Sequence, residues 1–67
     1  MDKLQLEGLR IRLLYRETLD LDYNDDRETI TELIEKLAEI TVYCNEIRAT
    51  GKRMSALTVL DIIDKED

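Results

Sequence analysis

The chain has 67 residues, a formal net charge of −6, no histidine, no proline and a single cysteine, Cys44. That length limits it to one domain, spanning residues 1–67. The acid excess excludes bulk attraction to nucleic acid or to an anionic membrane surface. An intrachain disulfide is excluded, as are the usual zinc shell and Ser-His or Cys-His nucleophile pairs.

A chain this short buries only about 60% of its unfolded surface, and small folds often lean on a disulfide, a metal or a second subunit. With the first two removed, association with another chain is the remaining device. There is no apolar run long enough to span a bilayer, and no basic-then-apolar leader. A free cysteine without such a leader predicts a reducing, cytoplasmic setting.

The first third is read in two ways. Leucine, arginine and glutamate dominate "DKLQLEGLRIRLLYRETLDLDY", which favours helix. Leu6, Leu9 and Leu13 share one helical face, and Leu4, Ile11 and Leu14 are expected to widen it. Yet Leu9, Ile11, Leu13 and Tyr15 also alternate with arginines, and Leu19, Leu21 and Tyr23 alternate with Asp20, Asp22 and Asn24. Period two is the strand signal, and Glu7-Gly8 has the makings of a hairpin turn. Helix is the primary expectation. The alternative is an α+β fold with an N-terminal hairpin followed by two helices.

The stretch 20–32, "DLDYNDDRETITE", resembles an EF-hand calcium loop. Asp20, Asp22 and Asn24 stand at its first three ligand positions and Asp26 at the fourth. The resemblance implies a calcium-binding module. It departs from the pattern at Asp25, where the turn needs glycine, and at Thr31, where a bidentate glutamate belongs. Glu32 falls one place late, and Arg27 fills a normally apolar position. Read from its residues, the stretch is a solvated acidic loop running into an N-capped helix, with Asp25 as cap and Glu28 closing a capping box.

From Asp26 to Thr50 the spacing predicts one long central helix. Ile30, Leu33, Leu37, Ile40, Cys44 and Ile47 alternate by three and four, as positions a and d of a heptad. Glu32, Glu39 and Glu46 then point to water. Arg48 in the last turn and Gly51 as the left-handed stop close the helix. Ile34, Thr41, Val42 and Tyr43 make the apolar surface wider than one seam requires. Cys44 reads as a small buried hydrophobe.

A basic loop, Lys52-Arg53, precedes the last helix. Ser55 is its N-cap, and Met54 and Val59 have the spacing of a hydrophobic staple. Leu57, Val59, Leu60, Ile62 and Ile63 are apolar on nearly every side, which predicts deep burial or sharing with a partner. Residues 64–67 form a tail expected to fray. Charge is segregated, with an arginine-bearing first element and an acidic middle that could lie against each other.

The resulting expectation is an all-α domain of three helices with a long central one. It has no cofactor and is not an enzyme, because no catalytic pair is present and the chain is too short to enclose a substrate pocket. The expected function is a small acidic, non-catalytic protein–protein interaction or regulatory module that forms a homodimer or captures a protein partner through its second and third helices and presents an acidic face, as an inhibitor would. Its candidate partner-binding residues are Ile34, Val42, Tyr43, Leu57, Leu60 and Ile63. Arg48, Lys52 and Arg53 are candidate phosphate contacts. The order of a short helix, a long helix, the basic loop and a short helix, with "GKRMSALTVLDII" at its end, resembles the histone-fold outline. That resemblance implies a handshake dimer and, as an alternative function, a dimeric DNA-binding regulator.

Overall fold

The computed structural model describes residues 2–17 and 19–66, with the backbone alone at Glu66. The chain is all-α apart from one small pairing. In order, it forms α1 (Lys3–Leu14), β1 (Asp20–Leu21), α2 (Arg27–Lys36), α3 (Ala38–Thr50), β2 (Met54–Ser55) and α4 (Ala56–Glu66).

Helix, not hairpin, holds the N-terminal region. The Asp2 carboxylate accepts the Gln5 N–H at 2.9 Å and the Asp2 carbonyl accepts the Leu6 N–H, so an aspartate that the sequence reading passed over caps α1. Leu6, Leu9 and Leu13 are buried on its inner face. The period-two signal further on has a real but short counterpart. β1 pairs antiparallel with β2, placing Leu21 opposite Met54 and Asp20 opposite Ser55.

The expected central helix is two helices. Leu37 takes an extended conformation, φ −127° and ψ 114°, and separates α2 from α3. Neither proline nor glycine stands there, so the cause is tertiary. An unbroken helix over residues 27–50 would be about 36 Å long at 1.5 Å per residue. The whole molecule measures 31 Å along its longest axis. Breaking the rod turns both halves of the seam onto one core. Ile30, Leu33, Leu37, Ile40 and Cys44 are all buried, with Ile47 packed against them. The same break removes the long central helix on which the histone-fold resemblance depends.

In a continuous helix the Ile34 carbonyl would accept the Ala38 N–H. Here the Thr41 hydroxyl donates to it instead, at 2.9 Å. The Leu37 N–H still reaches the Leu33 carbonyl and the Thr41 N–H reaches the Leu37 carbonyl, so the break leaves few backbone groups unmatched.

The other boundaries follow local chemistry. α2 starts one residue later than the capping-box reading, with Asp26 rather than Asp25 at the N-cap and no side-chain cap bond. Asp26 instead holds Arg16 of the α1–β1 connection. Gly51 ends α3 with φ 71°, the left-handed conformation that favours glycine. α4 starts directly after Ser55 and runs on to Glu66, while Asp67 lies outside the described residues.

The arginines of α1 do lie against acidic neighbours. Arg12 donates to Glu32 of α2 at 2.7 Å, and the Arg10 Nε stands 2.9 Å from Asp64 of α4 but off the hydrogen-bonding line. The hydrogen bond to Glu32 is the main cause raising the Arg12 pKa above its ordinary value. These pairs are solvent-exposed, so they orient α1 between α2 and α4 more than they stabilise it.

Thr41→Val tests the role of the hydroxyl at the break. The substitution keeps the shape but leaves the Ile34 carbonyl without its donor, a loss of about 1–3 kcal/mol. Urea unfolding followed by circular dichroism should show a lower midpoint with an unchanged slope.

Candidate functional site

The six candidate partner residues are not one surface. Ile63 is fully buried and Leu60 is 8% exposed, so both belong to the core between α1 and α4. Ile34 and Tyr43 are partly buried and pack against that core. The Tyr43 hydroxyl accepts the Ser55 N–H at 3.0 Å, which ties α3 to β2. Only Val42 and Leu57 are exposed, at 60% and 57%. The wide apolar surface of α2, α3 and α4 serves mostly for packing and not for docking, because four helices enclose more of it than three would.

The most exposed large apolar side chains are elsewhere, on the outer face of α1. Leu4 is 86% exposed and Tyr15, its C-cap, 85%, with Ile11 and Leu14 about half exposed. Leu4, Gly8, Ile11 and Tyr15 follow one another at spacings of four, three and four, so they form one stripe. That stripe is nearly opposite the buried Leu6, Leu9 and Leu13. Leu4, Ile11 and Leu14 therefore do not widen the core face as expected. A helix apolar on two faces was the available signal, but it was read as one broad face.

Gly8 sits in the middle of the stripe. A Cβ built there meets no atom within 4 Å. Nothing inside this chain requires glycine at that point, although glycine in a helix costs roughly 0.5–1 kcal/mol relative to alanine.

The three candidate phosphate contacts do come together. Arg48, Lys52 and Arg53 are all exposed and stand around one cleft of about 300 Å³. The cleft lies where the β1–α2 connection meets the end of α3 and the start of β2. Its apolar lining is Leu21, Ile30, Cys44, Ile47 and Met54. The Arg48 guanidinium carbon lies 4.8 Å from the centre of the Tyr23 ring, in cation–π contact. Asp22 stands 3.7 Å from Arg53 and also accepts the Asn24 N–H at 2.9 Å.

Two carboxylates of the acidic loop, Asp22 and Asp26, are engaged internally. Asp22 is taken by Asn24 and Arg53, and Asp26 by Arg16. Among the described residues, no three Asp, Glu or Cys side chains converge as a metal cluster would require. No helix among them is long and apolar enough to cross a membrane.

Cys44 lies at the inner end of the cleft and is 4% exposed. Burial pushes its thiol pKa up, and the charge of Arg48 opposes this without cancelling it. The thiolate that reacts is therefore suppressed.

No known protein family, curated protein or solved structure matches this chain.

Iodoacetamide should alkylate Cys44 at least about tenfold more slowly in the native protein than in urea near pH 8, where an ordinary thiol is partly ionised. Mass spectrometry at timed intervals measures it. Because the folded pKa is the higher one, the thiol's contribution to stability is present below the unfolded pKa. It is lost as pH rises through the folded value.

Proposed function

We propose that this chain is a non-catalytic protein–protein interaction module of the cytoplasm that pairs with a second copy of itself through the outer face of α1. The stripe Leu4, Gly8, Ile11 and Tyr15 carries this reading, because its spacing is the same in both directions. When two such helices run antiparallel about a two-fold axis, Gly8 of each faces Ile11 of the other, and Leu4 faces Tyr15. Small then meets large in the two central layers, where close helix packing requires it, and Leu4 and Tyr15 close the seam at both ends.

The flanks agree with that orientation. Gln5 comes opposite the Arg12 of the second copy, and Glu7 opposite its Leu14, so no like charges are forced together. A parallel pair would place Gly8 against Gly8 and leave a void, which loses dispersion contacts. The otherwise uncompensated glycine acquires a role in the antiparallel pair, where it lets Ile11 of the other helix approach the backbone.

Pairing through α1 leaves the outer sides of α2 and α3 in water. Glu28, Glu35, Glu39 and Glu46 are exposed there. Two copies would present this acidic surface twice, which suits a basic surface on a target protein, in the manner of a small acidic inhibitor.

Gly8→Leu separates this reading from non-specific stickiness. Leucine is a better helix former, and its Cβ meets no atom of the same chain within 4 Å. The monomer should gain stability of roughly 0.5 kcal/mol or more, while sedimentation equilibrium should show the dimer weakened by at least about tenfold, or ~1.4 kcal/mol. Ile11→Asp should abolish the dimer and leave the circular dichroism spectrum intact. A wild-type chain that stays monomeric from micromolar to millimolar concentration would overturn the proposal, as would a Gly8→Leu chain that associates more tightly.

A further inference from the structure

The break at Leu37 is held by packing and not by its own residues. We propose that the chain has a second form, in which Leu37 turns helical, α2 and α3 fuse into one rod, and two copies exchange halves. The first half of each copy (α1, β1 and α2) then packs on the second half (α3, β2 and α4) of the other. This swapped pair is independent of the pairing through α1, because it leaves the outer face of that helix untouched.

The heptad phase carries the inference. Ile30, Leu33, Leu37, Ile40, Cys44 and Ile47 alternate by three and four straight through the break. A permanent corner would leave the two helices free to differ in phase. Here a straightened segment keeps all six residues on one face, with Leu37 near its middle. Two such rods would cross there about a two-fold axis.

Local energetics at the hinge favour the rod. Leucine is a strong helix former, as are Lys36 and Ala38 beside it. As the N-cap of α3, Leu37 supplies no side-chain hydrogen bond. The N–H groups of Ala38, Glu39 and Ile40 therefore start α3 without helical partners. In the rod they meet the carbonyls of Ile34, Glu35 and Lys36. One residue changes conformation, and three backbone hydrogen bonds form. The Thr41 hydroxyl gives up the Ile34 carbonyl, 2.9 Å away, but keeps that of Leu37, which lies 3.4 Å away in the closed chain.

The contacts divide between the halves. Arg12–Glu32 and Arg16–Asp26 lie within the first half and Tyr43–Ser55 within the second, so opening preserves them. Arg10–Asp64, Asp22–Arg53 and the Leu21–Met54 pairing cross from one half to the other. The core is shared in the same way, with Leu6, Leu13 and Ile30 from the first half and Ile40, Val59 and Ile63 from the second. A swapped pair remakes each crossing contact with the other copy. The closed chain wins when dilute, because its tether holds the halves at an effective concentration in roughly the millimolar range. Near that concentration the hinge decides. Exchange requires the core to part, so it is slow in folded protein, and concentrating folded chains does not produce it.

The test uses the full Ile11→Asp chain, which lacks the pairing through α1. It is unfolded in urea, refolded at millimolar concentration, diluted to micromolar and sized by chromatography with light scattering. A dimer should survive the dilution for hours, whereas the same chain refolded at micromolar concentration should be monomeric. Refolding an equal mixture of ¹³C-labelled and unlabelled chains should give isotope-filtered NOEs between the Leu21 and Met54 methyl groups of different copies. Ala38→Pro should lower the dimer fraction at least about tenfold. Proline suits the first position of α3 and the extended Leu37 before it, but it has no place inside a continuous helix. Thr41→Val should raise the dimer fraction at least about threefold, because only the closed chain needs the hydroxyl on the Ile34 carbonyl. A chain that is monomeric after both refoldings would overturn the proposal. So would a dimer without those NOEs, or one that a folded Ala38→Pro chain forms equally well. If Ala38→Pro does not fold, the NOEs decide alone. The pairing through α1 is read in chains that were never unfolded, so either association can fail without the other.

Discussion

The break at Leu37 is the constraint from which the rest of the structure follows. A seam of six apolar residues at heptad spacing would normally make one rod, and a rod would present its two halves to different neighbours. Leu37 gives up its helical conformation, and the Thr41 hydroxyl takes over the carbonyl that the break exposes. Both halves of the seam then converge on the inner faces of α1 and α4. Each half of the chain becomes a helix, a two-residue strand and a helix, and the two strands join the halves across Leu21 and Met54.

Folding the central segment back has consequences at both candidate surfaces. It brings the end of α3 beside the β1–α2 connection, so that Arg48 reaches Tyr23 and Arg53 reaches Asp22. The basic residues thereby surround a cleft instead of projecting from a rod. It also encloses Ile34, Tyr43, Leu60 and Ile63, which leaves the outer side of α1 as the main exposed apolar face. The arginines of α1 grip α2 and α4 along its two edges, and this turns Leu4, Ile11 and Tyr15 outward.

Much of this was legible in the residues. The helical class, the stop at Gly51, the start of α4 after Ser55 and the burial of Cys44 all rest on local rules, and local rules act on neighbours in sequence. The seam residues were recognised as core because periodicity reports which side chains share a face. Two features were misread for the same reason. A helix with apolar residues at Leu4, Leu6, Leu9, Ile11 and Leu13 has two apolar faces, and periodicity alone does not say which one the rest of the chain covers. Likewise, the surplus on α3 and α4 looked free only because the number of helices packing on it was undercounted.

The sequence by itself determined the helical class, the seam, the stop at Gly51 and the segregation of charge, since each depends on residues within a few positions of one another. Tertiary structure alone decided three matters. It decided where the central segment breaks, because no proline or glycine at Lys36, Leu37 or Ala38 marks the place. It decided which face of α1 remains in water, because α2 and α4 had to choose one side. It also decided that Arg48, Lys52 and Arg53 rim one cleft, because its walls are assembled from β1, α2, α3 and β2, and no local pattern relates those four.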